Sequence, residues 1–288
     1  MKKINLILIL IFASGFLCGC SNDQYSIEKR YWQIQRQSEK IFKNPHATPP
    51  MELERVVKSY NNFIQKYPNN SLSVQGDFEI ARLYIVVEEY EKARTQLRAI
   101  TNKYKKSDII CAEAVFLAGK SYQLQDRWPQ ALEQYRKLIQ QYPTTIKGLD
   151  VPVYIAEYYR VKFQPDKMLD AYKDAEAHYN NLAEKYPNSP LAYIANKLAA
   201  QCYVTTKDWD SAISAYSAML EKYRGKVDMS DVLMDMALIY ARELKDQLKS
   251  KETLGILLKD YPKSRFTAIA AALLKESGKN DRRKSTGK

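Results

Sequence analysis

Few side chains in this 288-residue sequence could do acid–base, nucleophilic or metal chemistry. Its two histidines, His46 and His178, stand far apart, and neither has cysteine or carboxylate companions at metal-ligand spacing. Asp166, Asp170 and Asp174 recur at i, i+4, which puts three carboxylates on one helix face and could suggest a cation site. The interleaved Lys167 and Lys173 favour the plainer reading, a solvated helix edge. No glycine-rich loop is present to cradle a phosphate. The sequence therefore reads as that of a non-enzyme without metal or diffusible cofactor, and its chemistry is expected at the cysteines and on binding surfaces.

The elements that must position these residues are repeated. Tyr67, Tyr104, Tyr142, Tyr186, Tyr223 and Tyr261, mostly followed by proline, are separated by 37, 38, 44, 37 and 38 residues. That periodicity belongs to a repeat array, in which each unit buries its apolar face against its neighbours. Such arrays present long surfaces and seldom build a catalytic pocket. Composition agrees with helices: glycine is scarce, at 9 residues, and 22 tyrosines supply most of the aromatic content.

The N-terminus sets the compartment. Lys2 and Lys3 precede an apolar run from Ile4 to Leu17, the pattern of a secretory signal, and too short for a permanent membrane-spanning helix of roughly 20 residues. Leu17, Cys18, Gly19 and Cys20 follow, and this stretch resembles the bacterial lipobox. The resemblance implies that residues 1–19 are removed and that Cys20 becomes an acylated first residue, the acyl lipid being the only covalent addition expected. Each buried methylene adds roughly 0.8 kcal/mol, so two or three long chains tether a domain firmly. In lipoprotein sorting of this type an aspartate after the cysteine retains the protein in the inner membrane. Ser21 stands there instead, which implies the periplasmic face of the outer membrane.

Removal of residues 1–19 takes Lys2 and Lys3 from a chain of net charge +12, leaving a basic surface. The charges are spread through the repeats and form no single stripe, so nucleic acid is not expected as a partner. Of the cysteines, Cys111 and Cys202 remain in the folded part. They fall in repeats separated by an intervening one, beyond the reach of a mutual disulfide.

Aligned on the periodic tyrosine, the repeats share more than a period. One carries Ala118, Gly119, Tyr122, Trp128, Ala131, Tyr135, Leu138 and Pro143. Another has Ile80, Ala81, Tyr84, Tyr90, Ala93, Leu97 and Ile100, and a third has Ala199, Ala200, Tyr203, Trp209, Ala212, Tyr216 and Met219. This pattern resembles the tetratricopeptide repeat, a helical hairpin in which small residues let helices approach and large aromatics fill the gaps beside them. The fold class expected is all-α, a tetratricopeptide superhelix (α-solenoid) of about five to six hairpins with a C-terminal capping helix.

Two repeats depart from the pattern. The 44-residue spacing places a seven-residue insertion around Val161 to Met168, containing Pro165, which should extend the helices or form a protruding loop. The fifth repeat keeps Met236, Ala237 and Tyr240 but has one extra turn residue, and Ser250 where alanine is expected. The expected organisation is a signal at 1–19, a lipidated tether at 20–26, the repeats at 27–276 and a basic disordered tail at 277–288. The first hairpin pairs Ile27–Phe42 with residues 51–66, and the last helix runs from Arg265 to Glu276.

The resemblance implies a concave groove lined by first-helix positions, here Phe78, Arg82, Ile85, Phe116, Lys120, Gln123, Glu157, Arg160, Lys197, Gln201 and Arg242. Exposed aromatics beside cations suit a peptide with apolar and acidic side chains. Alternatively, Phe78 and Phe116 simply pack between adjacent helices. The lysine and asparagine set that grips a terminal carboxylate in chaperone-associated members is not reproduced. Tyr186-Pro187-Asn188-Ser189 and Tyr261-Pro262-Lys263-Ser264 look like envelope tetratricopeptide proteins of bacteria with two membranes. That likeness implies a lipid-anchored scaffold binding envelope proteins, first among them components or substrates of outer-membrane β-barrel assembly. The rivals are a coordinator of peptidoglycan synthesis or Tol-Pal, a pilus or secretion pilotin, and, from another class, an envelope hydrolase accessory.

Overall fold

The computed structural model describes residues 24–286, with side chains to Glu276. The signal segment and Cys20 lie outside the described residues. Among those described are thirteen α-helices and no strand. They run α1 (Gln24–Lys43), α2 (Pro50–Lys66), α3 (Ser71–Val86), α4 (Tyr90–Lys103), α5 (Asp108–Gln123), α6 (Trp128–Gln141) and α7 (Ile146–Val161), followed by α8 (Pro165–Lys185), α9 (Pro190–Thr206), α10 (Trp209–Tyr223), α11 (Ser230–Leu238), α12 (Gln247–Asp260) and α13 (Thr267–Thr286). A 3₁₀ turn, Pro45–Ala47, lies between α1 and α2, and a π-helical segment, Ile239–Glu243, continues α11. No helix among the described residues is long and apolar enough to cross a membrane.

The helices alternate between two kinds. The second helix of a hairpin is amphipathic: α4 buries Ala93, Leu97 and Ile100 at helical spacing and leaves its opposite face wet. The first helix is buried on more than one side and needs small residues there. In α5 these are Ala112, Ala114, Gly119 and Ser121. A Cβ added at Gly119 would stand 2.4 Å from the Tyr135 ring, so the small residue and the large aromatic are one packing unit. Ala81, Ala93, Ala131, Ala156, Ala175, Ala200, Ala212 and Ala237 are likewise buried, as their positions in the repeat require.

The periodic tyrosine ends the second helix of each hairpin. Tyr67, Tyr186 and Tyr261 leave the α region at φ near −127° and ψ near 55° (−127/55, −125/54 and −128/56), because the proline after each disfavours helical ψ. The chain then makes a tight turn in which the residue three places on donates its N–H to the tyrosine carbonyl, as from Ser189 (3.1 Å) and Ser264 (3.0 Å). Hydroxyls of the next segment cap the same carbonyl: Ser73 on Tyr67 at 2.6 Å, Thr145 on Tyr142 at 2.8 Å and Ser189 on Tyr186 at 2.7 Å. Ser189 also caps α9 by accepting from the Ala192 N–H. The Tyr-Pro-x-Ser signature is thus a helix stop, a turn and a helix start in four residues.

Within the hairpins the turn is a different motif. The first helix ends on a residue in the left-handed region, Glu88, Asp126, Phe163, Lys207 or Lys245, and none of these is glycine. In four of them the next residue donates to a carbonyl five back, that of Tyr84, Tyr122, Tyr159 or Tyr203, at 2.8–3.0 Å. The fifth hairpin reaches six back, from Asp246 to Tyr240 (2.8 Å). Its extra residue is absorbed by the π segment, where Leu244 donates to Ile239 at 3.0 Å.

For the third repeat the structure takes one of the two expected alternatives, the extended helix, and at the C-terminus it corrects an expectation. The third hairpin has an ordinary turn at residues 162–164, and no loop protrudes. Pro165 opens α8, which has 21 residues where α4, α6 and α12 have 14. The seven extra residues, 165–171, are nearly two further helical turns ahead of the stretch the repeats share, and of them Ala171 is buried. At the C-terminus α13 continues to Thr286, ten residues past the expected end, through the segment expected to be disordered. Residues 277–286 hold no proline, and a single glycine does not stop a helix. The first hairpin forms as expected, α1 against α2, with Tyr31 edge-on to Phe63 at 5.5 Å and the Ser38 and Tyr60 hydroxyls 3.0 Å apart in its core.

The chain divides into two compact units, to Lys137 and from Leu138, the boundary falling inside α6. The first is built on the α1–α3 core around Ile41, Val56 and Tyr60, continued by Phe78, Ala81, Leu97, Ile100 and Ala114. The second is built on Tyr216, Met229 and Val232, with Leu233, Leu254 and Leu257 beyond.

Candidate functional site

A groove of about 590 Å³ lies in the second unit. Positions one helical turn apart on the first helices supply one side: Leu149 and Val153 from α7, Leu198 and Cys202 from α9, Asp235 and Ile239 from α11 and its π segment. Tyr172 and Tyr179 from α8 and Trp209 and Tyr216 from α10 supply the aromatic remainder. Tyr179 stands seven residues before Tyr186, as Tyr216 does before Tyr223, so the wall takes it from a position that the repeats share. Arg242 and Glu243 come from the π segment, so the odd residue of the fifth repeat shapes this groove.

The buried phenols are neutral hydrogen-bond donors, their pKa raised first by desolvation. Tyr179 Oη donates to the Leu149 carbonyl at 2.5 Å and ties α8 to α7. Tyr172 Oη donates to Glu157, whose carboxyl is held below its usual pKa first by its hydrogen bond from Arg160, with Nε 2.7 Å away. Burial pushes the Cys202 thiol up to about 12, so it stays protonated as part of the wall. Tyr216 Oη donates to Asp235 Oδ2 at 3.4 Å. The Asp235 carboxyl is shifted up, first by burial and then by the charge of Asp231. Asp231 itself is paired with Lys197.

Of the residues expected to line a groove, Gln201 and Arg242 do line this one. Lys197 is committed to Asp231, and Glu157 and Arg160 are committed to each other. Phe78, Arg82, Ile85, Phe116, Lys120 and Gln123 belong to the first unit. Phe78 is not an exposed aromatic: it is buried with Ala81 and Leu97, the packing alternative. Arg82 is exposed and pairs with Glu79 at 2.8 Å, and Ile85 is half-buried. Phe116 is half-buried against the Tyr135 ring at 5.8 Å, and Gln123 accepts from Tyr135 Oη at 3.0 Å. Lys120 is half-buried on α5.

Two residues of the first unit escaped the sequence reading. Arg94 is buried, with its guanidinium 4.1 Å from the centre of the Tyr122 ring and Nη1 2.8 Å from Gln125 and 3.1 Å from Ser121. It stitches α4 to α5. Asp77, also buried, accepts from Lys103 and from the periodic Tyr104, each at 2.7 Å. Asp77 on a first helix and Arg94 on a second stand at positions whose charge and spacing give no sign of burial. Asp166, Asp170 and Asp174 are exposed along α8, and no group of three or more metal-ligating side chains occurs among the described residues.

Comparison with known proteins accounts for the hairpins. Residues 113–145 and 231–264 match one tetratricopeptide-repeat model, and residues 170–226 match a second. These stretches are tetratricopeptide repeats. The fold class is therefore an all-α tetratricopeptide-repeat fold, and repeats of this kind imply a scaffold for protein–protein interaction. Among solved structures the chain is similar to YrrB, a tetratricopeptide protein with an unusual peptide-binding site, at 17% identity over 76% of this chain and 99% of that one, with a TM-score of 0.37. It is similar to apo RapI at 12% identity over 89% and 72%, with a TM-score of 0.46. A tetratricopeptide protein from Parabacteroides merdae is 12% identical over 90% and 93%, with a TM-score of 0.39. No curated protein matches the chain in sequence.

Proposed function

We propose that the protein is a lipid-anchored docking scaffold on the periplasmic face of the outer membrane, serving the assembly of outer-membrane proteins. The observation that carries the anchoring is the run Leu17-Cys18-Gly19-Cys20 behind a charged and apolar leader, with Ser21 after it. The acyl chains hold the repeats at the membrane surface, and the second-unit groove docks partners by presentation, without chemistry of its own. Aromatic walls with a few polar groups are what an interface anchor needs.

The test is fractionation followed by recovery. Cys20→Ser, with its signal intact, leaves the native protein's membrane fraction for the soluble one; a variant still held at the membrane overturns the anchor. Native protein is then recovered from detergent-solubilised envelopes. Co-recovery of β-barrel assembly components supports the reading, whereas cell-wall synthesis, Tol-Pal, pilus or secretion proteins in their place reassign the pathway.

A further inference from the structure

The groove of the second unit is acidic in a chain whose net charge is +12. Three carboxylates, Asp150, Asp235 and Glu243, line it against one guanidinium, that of Arg242. Asp235 is the innermost by chemistry. It sits beside the buried Tyr216, which donates to it at 3.4 Å, and the nearby Lys197 is taken up by Asp231. Of the aromatic side chains that line the groove, Trp209 is half-buried and can meet a ligand, while Tyr172 and Tyr179 are buried beneath its surface. A half-buried carboxylate among rings is costly to the fold unless an arriving cation offsets it, and the aromatic faces favour that same cation. The fifth repeat departs from its neighbours here as well, since the π segment supplies Arg242 and Glu243 to the wall.

Building on the scaffold reading above, we infer that this groove selects partner segments carrying a lysine or arginine flanked by apolar residues, with Asp235 as the specificity-determining contact. The cationic head reaches the Asp235 carboxylate, the flanking side chains lie against Trp209 and the half-buried Val153, Leu198 and Val204, and the volume of about 590 Å³ suits a few side chains rather than a folded domain. The sign is opposite to the acidic ligands expected from Phe78, Phe116 and the cations beside them. Phe78 is in the core and the second-unit cations Arg160 and Lys197 are already paired.

The probe is an array of 12-residue peptides in which one central Lys, Arg, Gln or Glu is flanked by leucine, valine or tyrosine, incubated with the full mature chain. Affinities of the spots that bind are then measured by fluorescence anisotropy. The inference expects Lys and Arg peptides to dominate the bound set. Asp235→Asn should weaken them at least tenfold while the variant melts no lower than the native protein. Asp235→Lys, where it folds, should move the selection towards Glu. A bound set without cationic enrichment, an enrichment that survives Asp235→Asn, or an empty array overturns the inference. The scaffold reading fails separately: envelope partners recovered equally by native and Asp235→Asn protein leave the scaffold standing with its docking face elsewhere, and loss of all partners by the native chain removes the scaffold itself.

Discussion

Asp235 is a carboxyl drawn partly out of water, and its titration carries a stability consequence whose sign is fixed. The groups that face it are Asp231, Lys197 and Tyr216, with Asp150, Arg242 and Glu243 on the same groove. Burial and Asp231 raise its folded pKa above the ordinary 3.8, so the folded state binds this proton more tightly than the unfolded chain does. Its contribution to stability is fully present below about 3.8, is lost as pH rises through the folded pKa, and above that the charge counts against the fold. Asp235→Asn, which keeps an acceptor for Tyr216, should therefore raise the neutral-pH Tm. The gain over the native protein should shrink towards nothing in melts near pH 3.5. A residue kept at the expense of stability is what a binding site shows. At the same scale, Phe163 combines φ of 55° with 91% exposure, a bulky side chain in the left-handed region with nothing to pack on. Phe163→Gly should stabilise by about 0.5–1 kcal/mol in urea titration, the relief of strain exceeding the entropy lost.

Among the elements, the Tyr-Pro turn is held by backbone approach as well as by hydrogen bonds. A Cβ at Gly148 would stand 2.1 Å from the Tyr142 carbonyl oxygen and 2.8 Å from the Pro143 carbonyl group, all of it backbone that cannot swing aside. Gly148→Ala should cost on the order of 1–3 kcal/mol by denaturant unfolding. Ser189→Ala removes both a cap on α9 and a bond to Tyr186, and about 1 kcal/mol should go with it. Spacing left open whether the seven-residue insertion of the third repeat extends a helix or forms a loop. The insertion is nearly two helical turns added ahead of Tyr172, so residues 165–171 continue the helix and Ala171 extends the buried stripe of Tyr172, Ala175, Tyr179 and Leu182. Helix and loop are indistinguishable from spacing alone when the insertion matches the helical period.

On the scale of the molecule, repeats contact mainly their neighbours, so a local defect should be felt locally. Hydrogen exchange on Gly148→Ala should show accelerated amides in α7 to α9 and little change in α1 to α3; uniform acceleration would mean that the two units unfold as one. The sequence by itself determined the hairpins, because the period of tyrosines, the small residues opposite aromatics and the Tyr-Pro stops are local or nearest-neighbour patterns. Ala131 under its neighbours and Tyr186 at its helix end could be placed from spacing alone. Only the tertiary structure decided which side chains are spent and which are left to bind. Phe78, which spacing left between groove and core, is buried, as is Arg94, while Asp235, in an apolar run between Met234 and Met236, faces the groove. The physical reason is that a side chain's exposure and partners depend on helices that are distant in sequence. Lys197 meets Asp231 across 34 residues, and Tyr216 meets Asp235 across 19.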